Sequence, residues 1–458
     1  MKSVALFFLM ILTALSALAD VPDGPWVITT DYSVFGRVQS IQQASPWTVS
    51  GELAVIPGDA VGRHHDGLVY IVGRGGSNLI RVHNPADGFA LVREFSIGAG
   101  RNPQDIAFDS QGRAFVSCYD EAVLLQVDTE AGVVVQTFDT SAYADSDGLP
   151  ETAWLLVHQN HLYVTCQKLD RGNWYAPSGP GQLLVMDLEN LQWEPPVNLV
   201  GANPYTKIRM GAEGKLLVGC AGYWAMNDGG IESIDPSAGI SEGFLMTEEA
   251  LGGDIVNFVV TADGQLHALT SNSSFVTSIS RVNPDNGSVI PILTSTGYDL
   301  SDLAWDGDFQ LYVADRQIAG AGIRVFDTTS GSELTSSPIV TTLPPFQFIL
   351  PASNELSVVP FSGSLLGTLN LGLPSPNPCN PAADLAIQDA PDQMISVSVF
   401  DLRGRRVKKT TVQTDASGRA SYRFNGQNTT GSALPAGVYR VVAQSSGGFA
   451  AQTLTLVK

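Results

Sequence analysis

Four carboxylates spread along the chain, Asp105, Glu151, Asp254 and Asp302, are its candidates for general acid–base chemistry. Such chemistry needs two groups whose surroundings hold them in different protonation states, so the four matter only if the fold gathers them. A tighter group lies in Asp145-Ser146-Asp147-Gly148-Leu149-Pro150-Glu151, three carboxylates within seven residues around a glycine turn. Hard oxygen donors so spaced suit Ca²⁺, with Asp145, Asp147 and Glu151 as ligands. The segment is far shorter than an EF-hand loop, and Asx turns capping a polar loop explain it equally well. The rings Tyr119, Trp174, Tyr175, Tyr205, Tyr223 and Trp224, with Arg316, are of the types that stack on sugars or grip a polypeptide. Each of them could instead pack a loop against the body of the protein.

Other reaction centres are poorly represented. The six histidines have no zinc spacing, and no Ser-His-Asp order is present. Gly73-Arg74-Gly75-Gly76 lacks the strand–helix context that a phosphate loop needs. Cys118, Cys166, Cys220 and Cys379 are widely spaced, which excludes a dense disulfide or zinc framework. The first three recur three residues past an aligned strand position, where buried, reduced thiols are expected.

The elements that would position these residues repeat. Aligning Tyr70, Phe115, Tyr163, Leu217, His267 and Tyr312, each in a short apolar strand, gives spacings of 45, 48, 54, 50 and 45. The strand after each one closes on Asp or Asn: Asn84, Asp128, Asp187, Asp235, Asn283 and Asp327. A period of 40 to 50 residues with about four strands is a propeller blade, whose faces only stacked neighbours can bury. Six full repeats are expected at 58–97, 102–140, 150–195, 203–247, 254–294 and 301–343. Three strands before them (26–31, 36–41 and 47–56) and one after (346–350) would make a seventh from both ends of the repeat domain, leaving no free edge. The expected fold is all-β: a seven-bladed β-propeller over 20–353, with six or eight blades as alternatives, then a linker at 354–371 and a small Ig-like β-sandwich.

In such a ring the loops between second and third strands open on the same face as the segments leading into the next repeat. That face, near the central tunnel, is the default binding surface. All the acids and rings singled out above fall in those segments, and the long 168–180 loop could cover the mouth.

Composition narrows the partners. With 45 acids against 25 bases the formal charge is −20, which excludes a global grip on nucleic acid. The acids concentrate in the repeats: residues 20–371 hold 40 acids and 15 bases, whereas 372–458 hold 5 and 9. Lys2, an apolar run from Val4 to Leu18 and the small-x-small Ala17-Leu18-Ala19 read as a signal peptide over 1–19. No later run is apolar enough to cross a membrane as a helix.

Two resemblances follow from these motifs. Pro103-Gln104-Asp105-Ile106-Ala107-Phe108-Asp109, Gly112-Arg113-Ala114-Phe115-Val116 and Val127-Asp128 resemble the blades of the YncE/YVTN and NHL group of seven-bladed propellers. Members include binding modules, scaffolds and a few lyases or oxidoreductases. The tail carries Pro376-Asn377-Pro378-Cys379-Asn380-Pro381, Val399-Phe400-Asp401-Leu402-Arg403-Gly404, Leu434-Pro435-Ala436-Gly437-Val438-Tyr439 and a closing Leu454-Thr455-Leu456-Val457. It resembles the C-terminal sorting domain of type IX secretion substrates and their FlgD-like Ig relatives. Cys379 stands where that group usually has an aromatic, and Phe424-Asn425-Gly426 replaces a Trp-Asp-Gly turn. The resemblance implies the type IX secretion machinery as a partner and a secreted or bacterial cell-surface location; a plain accessory Ig-like domain is the alternative. The reading is a surface binding module for a glycan, peptide or envelope component. A propeller lyase or metal-assisted hydrolase with an acidic mouth, and a structural scaffold, are the other two.

Overall fold

The computed structural model describes residues 24–351 and 369–457, apart from 389–390, 392, 402–405, 430 and 446–447. The expected signal at 1–19, most of the expected linker and Leu402-Arg403-Gly404 of the tail motif lie outside the described residues. Within 26–349 the chain forms seven four-stranded antiparallel sheets. Five are built from consecutive strands, beginning at Ala60–His65, Pro103–Phe108, Arg209–Met210, Asp254–Val260 and Leu300–Trp305; a sixth, beginning at Thr152–His158, is interrupted before its third strand by a two-stranded hairpin, Leu169–Asp170 with Ala176–Pro177. The remaining sheet joins the two ends of this region, in the order Ala54–Pro57, Phe35–Ser40, Trp26–Thr29 and Pro345–Ile349. Its seam pairs Trp26 with Ile349 and Val27 with Phe348. It is called the first sheet below, and the others follow in chain order.

Burial follows position in the sheet. The second strands, such as Ala114–Cys118, Leu216–Cys220 and Leu266–Ser271, are buried along their whole length. Neighbouring sheets cover both of their faces, so even Ser117, His267 and Thr270 within them are buried. The outermost strands, such as Ala90–Ser96 and Ser288–Thr294, are mostly exposed although apolar residues predominate in both. A separate apolar cluster bridges each consecutive pair of sheets. One set, Val27, Ile41 and Phe348 with Ala304, Tyr312 and Val325, joins the seventh sheet to the first.

The acid or amide that ends each third strand has a local task. Asp128 Oδ1 accepts from the backbone N–H of Glu130 at 2.8 Å and of Ala131 at 2.7 Å, and Asp235 and Asp327 repeat the arrangement. These Asx turns reverse the chain into the outer strand. The recurring Val-Asp of the sequence is thus turn chemistry rather than reaction chemistry.

The tail is a second β unit. A three-stranded sheet (Asn370–Leu371, Ala383–Gln388, Arg419–Phe424) faces a four-stranded one (Arg406–Gln413, Met394–Asp401, Gly437–Ser445, Gly448–Leu456). Their inward residues, among them Leu385, Tyr422, Phe424, Val397, Val441 and Leu454, make one core. Ala383–Gln388 alternates buried and exposed, as a strand with one wet face should. Asn370–Leu371, which the sequence placed in the linker, pairs with Ile387 and Gln388 and so belongs to this unit. Buried Cys379 bonds the last strand through its backbone, its N–H to Thr455 O at 2.8 Å and its O to Val457 N–H at 2.8 Å.

Candidate binding cavity

A cavity of about 670 Å³ opens among the leading strands, and all seven sheets contribute to its lining. Phe346 and Gln347 come from the first sheet, Val61 and Arg74 from the second, and Gln104 and Tyr119 from the third. Trp154, Tyr205 and Lys207, Asn257, and Ser301 with Asp302 continue the series from the fourth to the seventh. Tyr32 and Tyr298 stand at its edge, each about half exposed.

The aromatic lining is held in place by its neighbours. The Trp154 indole N–H donates to Tyr205 O at 2.7 Å, and the Tyr205 ring meets Trp224 edge-on at 5.0 Å. Tyr32 meets Phe346 edge-on at 5.5 Å and lies beneath the Arg316 guanidinium at 4.7 Å. Tyr32 has a left-handed φ of +61°, and its N–H donates to Thr30 Oγ1 at 2.9 Å. That conformation is uncommon for an aromatic residue and aims the ring as no extended residue would.

The acids expected at the mouth are engaged in holding the sheets together. Asp105 is fully buried and takes two bonds from Arg63, Nε at 2.8 Å and Nη2 at 2.6 Å. Its oxygens also accept from Leu155 N–H in the next sheet and from Ile106 N–H, both at 2.9 Å. Asp302 accepts from the Asn257 amide of the sheet before and from Phe348 N–H of the sheet after, the latter at 2.7 Å. Gln347 Oε1 accepts Gly62 N–H at 2.9 Å across the next boundary. These three side chains occupy matching positions beside the irregular start of each leading strand, and each staples its sheet to the next. Space is tight there: a Cβ on Gly62 would lie 2.2 Å from Ile349 Cδ1. Burial raises the Asp302 carboxyl above the ordinary range, and Lys207 and the Phe348 N–H pull it back.

The other expected residues are placed as follows. Asp254 is buried and accepts from the backbone N–H groups of Ala225 and Asn227, so it caps the loop that carries Trp224. Glu151 accepts from Leu169 N–H and from Arg171 Nε, both at 3.0 Å, and burial pushes its carboxyl up to about 7 against those two donors. Arg171 also bonds Asp120 at 2.8 Å and Tyr119 O at 2.7 Å, and lies over the Tyr119 and Tyr175 rings. It pins the 168–180 insertion to the third sheet. Asp145 accepts Asp147 N–H at 3.0 Å, and Asp147 accepts Leu149 N–H at 3.0 Å. Thus Asp145, Asp147 and Glu151 hold three different backbone stretches, and among the described residues no group of three or more His, Cys, Asp or Glu is poised around a metal. On the rim, Trp174 is 95% exposed, Tyr175 and Tyr223 about half, and the Tyr223 hydroxyl donates to Pro177 O at 2.9 Å.

Of the expected residues, Tyr119, Tyr205 and Asp302 line the cavity. Asp105, Glu151, Asp254 and Asp302 are not brought into one cluster. The sequence reading missed Arg74, Trp154, Lys207, Tyr298, Gln167 and Gln347. Arg74 was visible, but only as part of a failed phosphate loop. Trp154 sits two positions after its leading-strand start, as Asp105 does, and an alignment of leading strands would have flagged it beside Asp105.

No curated protein matches this chain. PorZ, an essential bacterial surface component of the type-IX secretion system of Porphyromonas gingivalis, is 15% identical over 93% of this chain, with a TM-score of 0.44. The extracellular domain of the one-component system protein BT4673 from B. thetaiotaomicron is 12% identical over 94% of it, with a TM-score of 0.45. The chain spans 64% of the PorZ structure and 61% of the BT4673 domain, under two-thirds of each. A protein of unknown function from Desulfotomaculum acetoxidans is 10% identical and is covered over 99% of its length, with a TM-score of 0.50, a likeness of fold alone. Among the described residues no helix is long and apolar enough to cross a membrane. Residues 381–448 match the FlgD Ig-like domain, so the C-terminal sandwich is an Ig-like domain of that type.

Proposed function

We propose that the seven sheets are the blades of a closed β-propeller that works as a surface-displayed binding module. The single observation that carries this is the cavity of about 670 Å³ fed by all seven sheets and lined by fixed aromatic rings and amides. Its size lies in the range of small-ligand sites, and its residues come from seven separate chain stretches that only the ring unites. A reaction centre is the weaker reading, because Asp105, Asp254 and Asp302 each accept from backbone N–H groups or from fixed side-chain donors. The Ig-like domain serves as the export and display element, in line with the sorting-domain motifs at 376–381 and 434–439.

The experiment is a binding survey with the fluorescently labelled chain against immobilised glycans and peptides, run in parallel with Tyr298→Ala. Tyr298 is half exposed on the cavity edge, so its loss should spare the fold and remove the signal. Signals that survive Tyr298→Ala would place the binding surface elsewhere. For export, truncation after residue 368 in a host with a type IX system should leave the propeller in the periplasm. Display of the truncated form would refute the role given to the Ig-like domain.

A further inference from the structure

We propose that the ligand of this cavity is the end of a neutral oligosaccharide chain; the inference rests on the reading of the cavity as a binding site. Three features of the lining point to it.

Aromatic faces come first. Tyr32, Tyr119, Trp154, Tyr205, Tyr298 and Phe346 surround the cavity, and none of them is fully buried. A pyranose presents an apolar C–H face that packs flat on such rings while its hydroxyls stay at the edge. The rings are already held by the Trp154–Tyr205 hydrogen bond and the edge contacts of Tyr205 and Tyr32, so little side-chain freedom is lost on binding.

Charge is the second feature. The charged groups of the lining already face partners within the protein. Arg74 bonds Asp59 at 2.6 Å, Asp302 is held between Asn257 and Phe348 N–H, and Lys207 lies 5.5 Å over the Trp154 ring with Asp302 nearby. An ionic ligand would have to break one of these arrangements and leave the other member without compensation in a recessed site. A neutral ligand disturbs none of them.

The third feature is hydrogen-bonding type. The lining mixes phenol hydroxyls, which donate and accept, with the carboxamides of Gln104, Gln167, Asn257 and Gln347. A sugar hydroxyl also donates and accepts at one atom. A peptide offers its groups as separate N–H and C=O and usually carries charged side chains or termini. Outside the lining, Arg171 lies over both the cavity's Tyr119 ring and the half-exposed Tyr175 ring, which offers a further stacking face for a longer chain.

The test is calorimetric titration of the full chain with cello-, laminari-, malto-, manno-, xylo- and chito-oligosaccharides of six units. Oligogalacturonate and a mixed peptide library serve as charged and peptidic comparators. The expected result is binding of at least one neutral oligosaccharide, with affinity unchanged between about 0.05 and 0.5 M salt because no ion pair forms. Trp154→Ala and Tyr298→Ala should each weaken it at least tenfold. If Trp154→Ala proves misfolded by circular dichroism, Tyr298→Ala alone carries the test. Binding of oligogalacturonate or peptide instead, abolished by Tyr298→Ala, overturns the neutral-sugar inference and leaves the cavity as the site. Binding that ignores both substitutions, or no binding by any probe, overturns the site along with the ligand.

Discussion

The reassignment of Asp105 from reactive acid to inter-sheet staple makes a sharp prediction. Asp105→Ala removes a fully buried carboxylate that answers Arg63 at 2.6 Å and 2.8 Å, Leu155 N–H and Ile106 N–H. Arg63 keeps 15% of its side-chain surface exposed, so water can compensate it only in part. Breaking one side of a buried pair costs about 3–5 kcal/mol, and a stranded backbone donor adds to it. A loss of roughly 4 kcal/mol should lower Tm by about 6 °C in a domain of this size. Differential scanning calorimetry of parent, Asp105→Ala and the double variant Arg63→Met/Asp105→Leu reads it out. The double variant should recover most of the loss, since an apolar pair of similar volume demands no charge compensation. A Tm for Asp105→Ala within about 1 °C of the parent would refute the staple. A double variant as unstable as the single would show that shape at this position, not charge pairing, sets stability.

Further outcomes follow from the same structure. Arg171→Ala should free the 168–180 insertion, read as several-fold faster chymotrypsin cleavage at Trp174 or Tyr175; unchanged cleavage would mean that the other insertion contacts suffice. Burial raises Glu151 and Glu248 to about 7, above the ordinary 4.5, so the folded chain holds their protons more tightly than the unfolded chain. Their contribution to stability is therefore full below about pH 4.5 and lost as pH rises through 7. Tm measured at constant ionic strength should fall between pH 5 and 8, and a rise across that range would contradict the burial argument. Burial likewise pushes the Cys118 and Cys166 thiols up to about 12, and all four cysteines are free and buried. Ellman's reagent should thus find almost no reactive thiol in the native chain and four after denaturation.

Much of the architecture was legible in the sequence because its signals are local. Strand alternation, turn residues and the Asp or Asn ending each third strand are set within a few residues. Even the first sheet, made from both ends of the seven-sheet region, followed from counting strands that would otherwise have a bare edge. The site was less legible. Trp174, Tyr175, Tyr223 and Trp224 were rightly placed in loops, yet the first three remain on the rim and Trp224 serves as a brace for Tyr205.

The acids mark the boundary most clearly. Residue type and spacing gave Asp105, Glu151, Asp254 and Asp302 equal standing, since an acid in a leading segment looks alike whether it meets solvent or a neighbouring backbone. The partner that decides its role lies far along the chain: Leu155 for Asp105, Arg171 for Glu151, Phe348 for Asp302. So the sequence alone determined an all-β chain of repeating strands, an acidic first part and an Ig-like tail. Only tertiary structure decided which carboxylates are consumed as staples and which rings are left facing a common cavity, because both depend on contacts between sheets that are dozens to hundreds of residues apart.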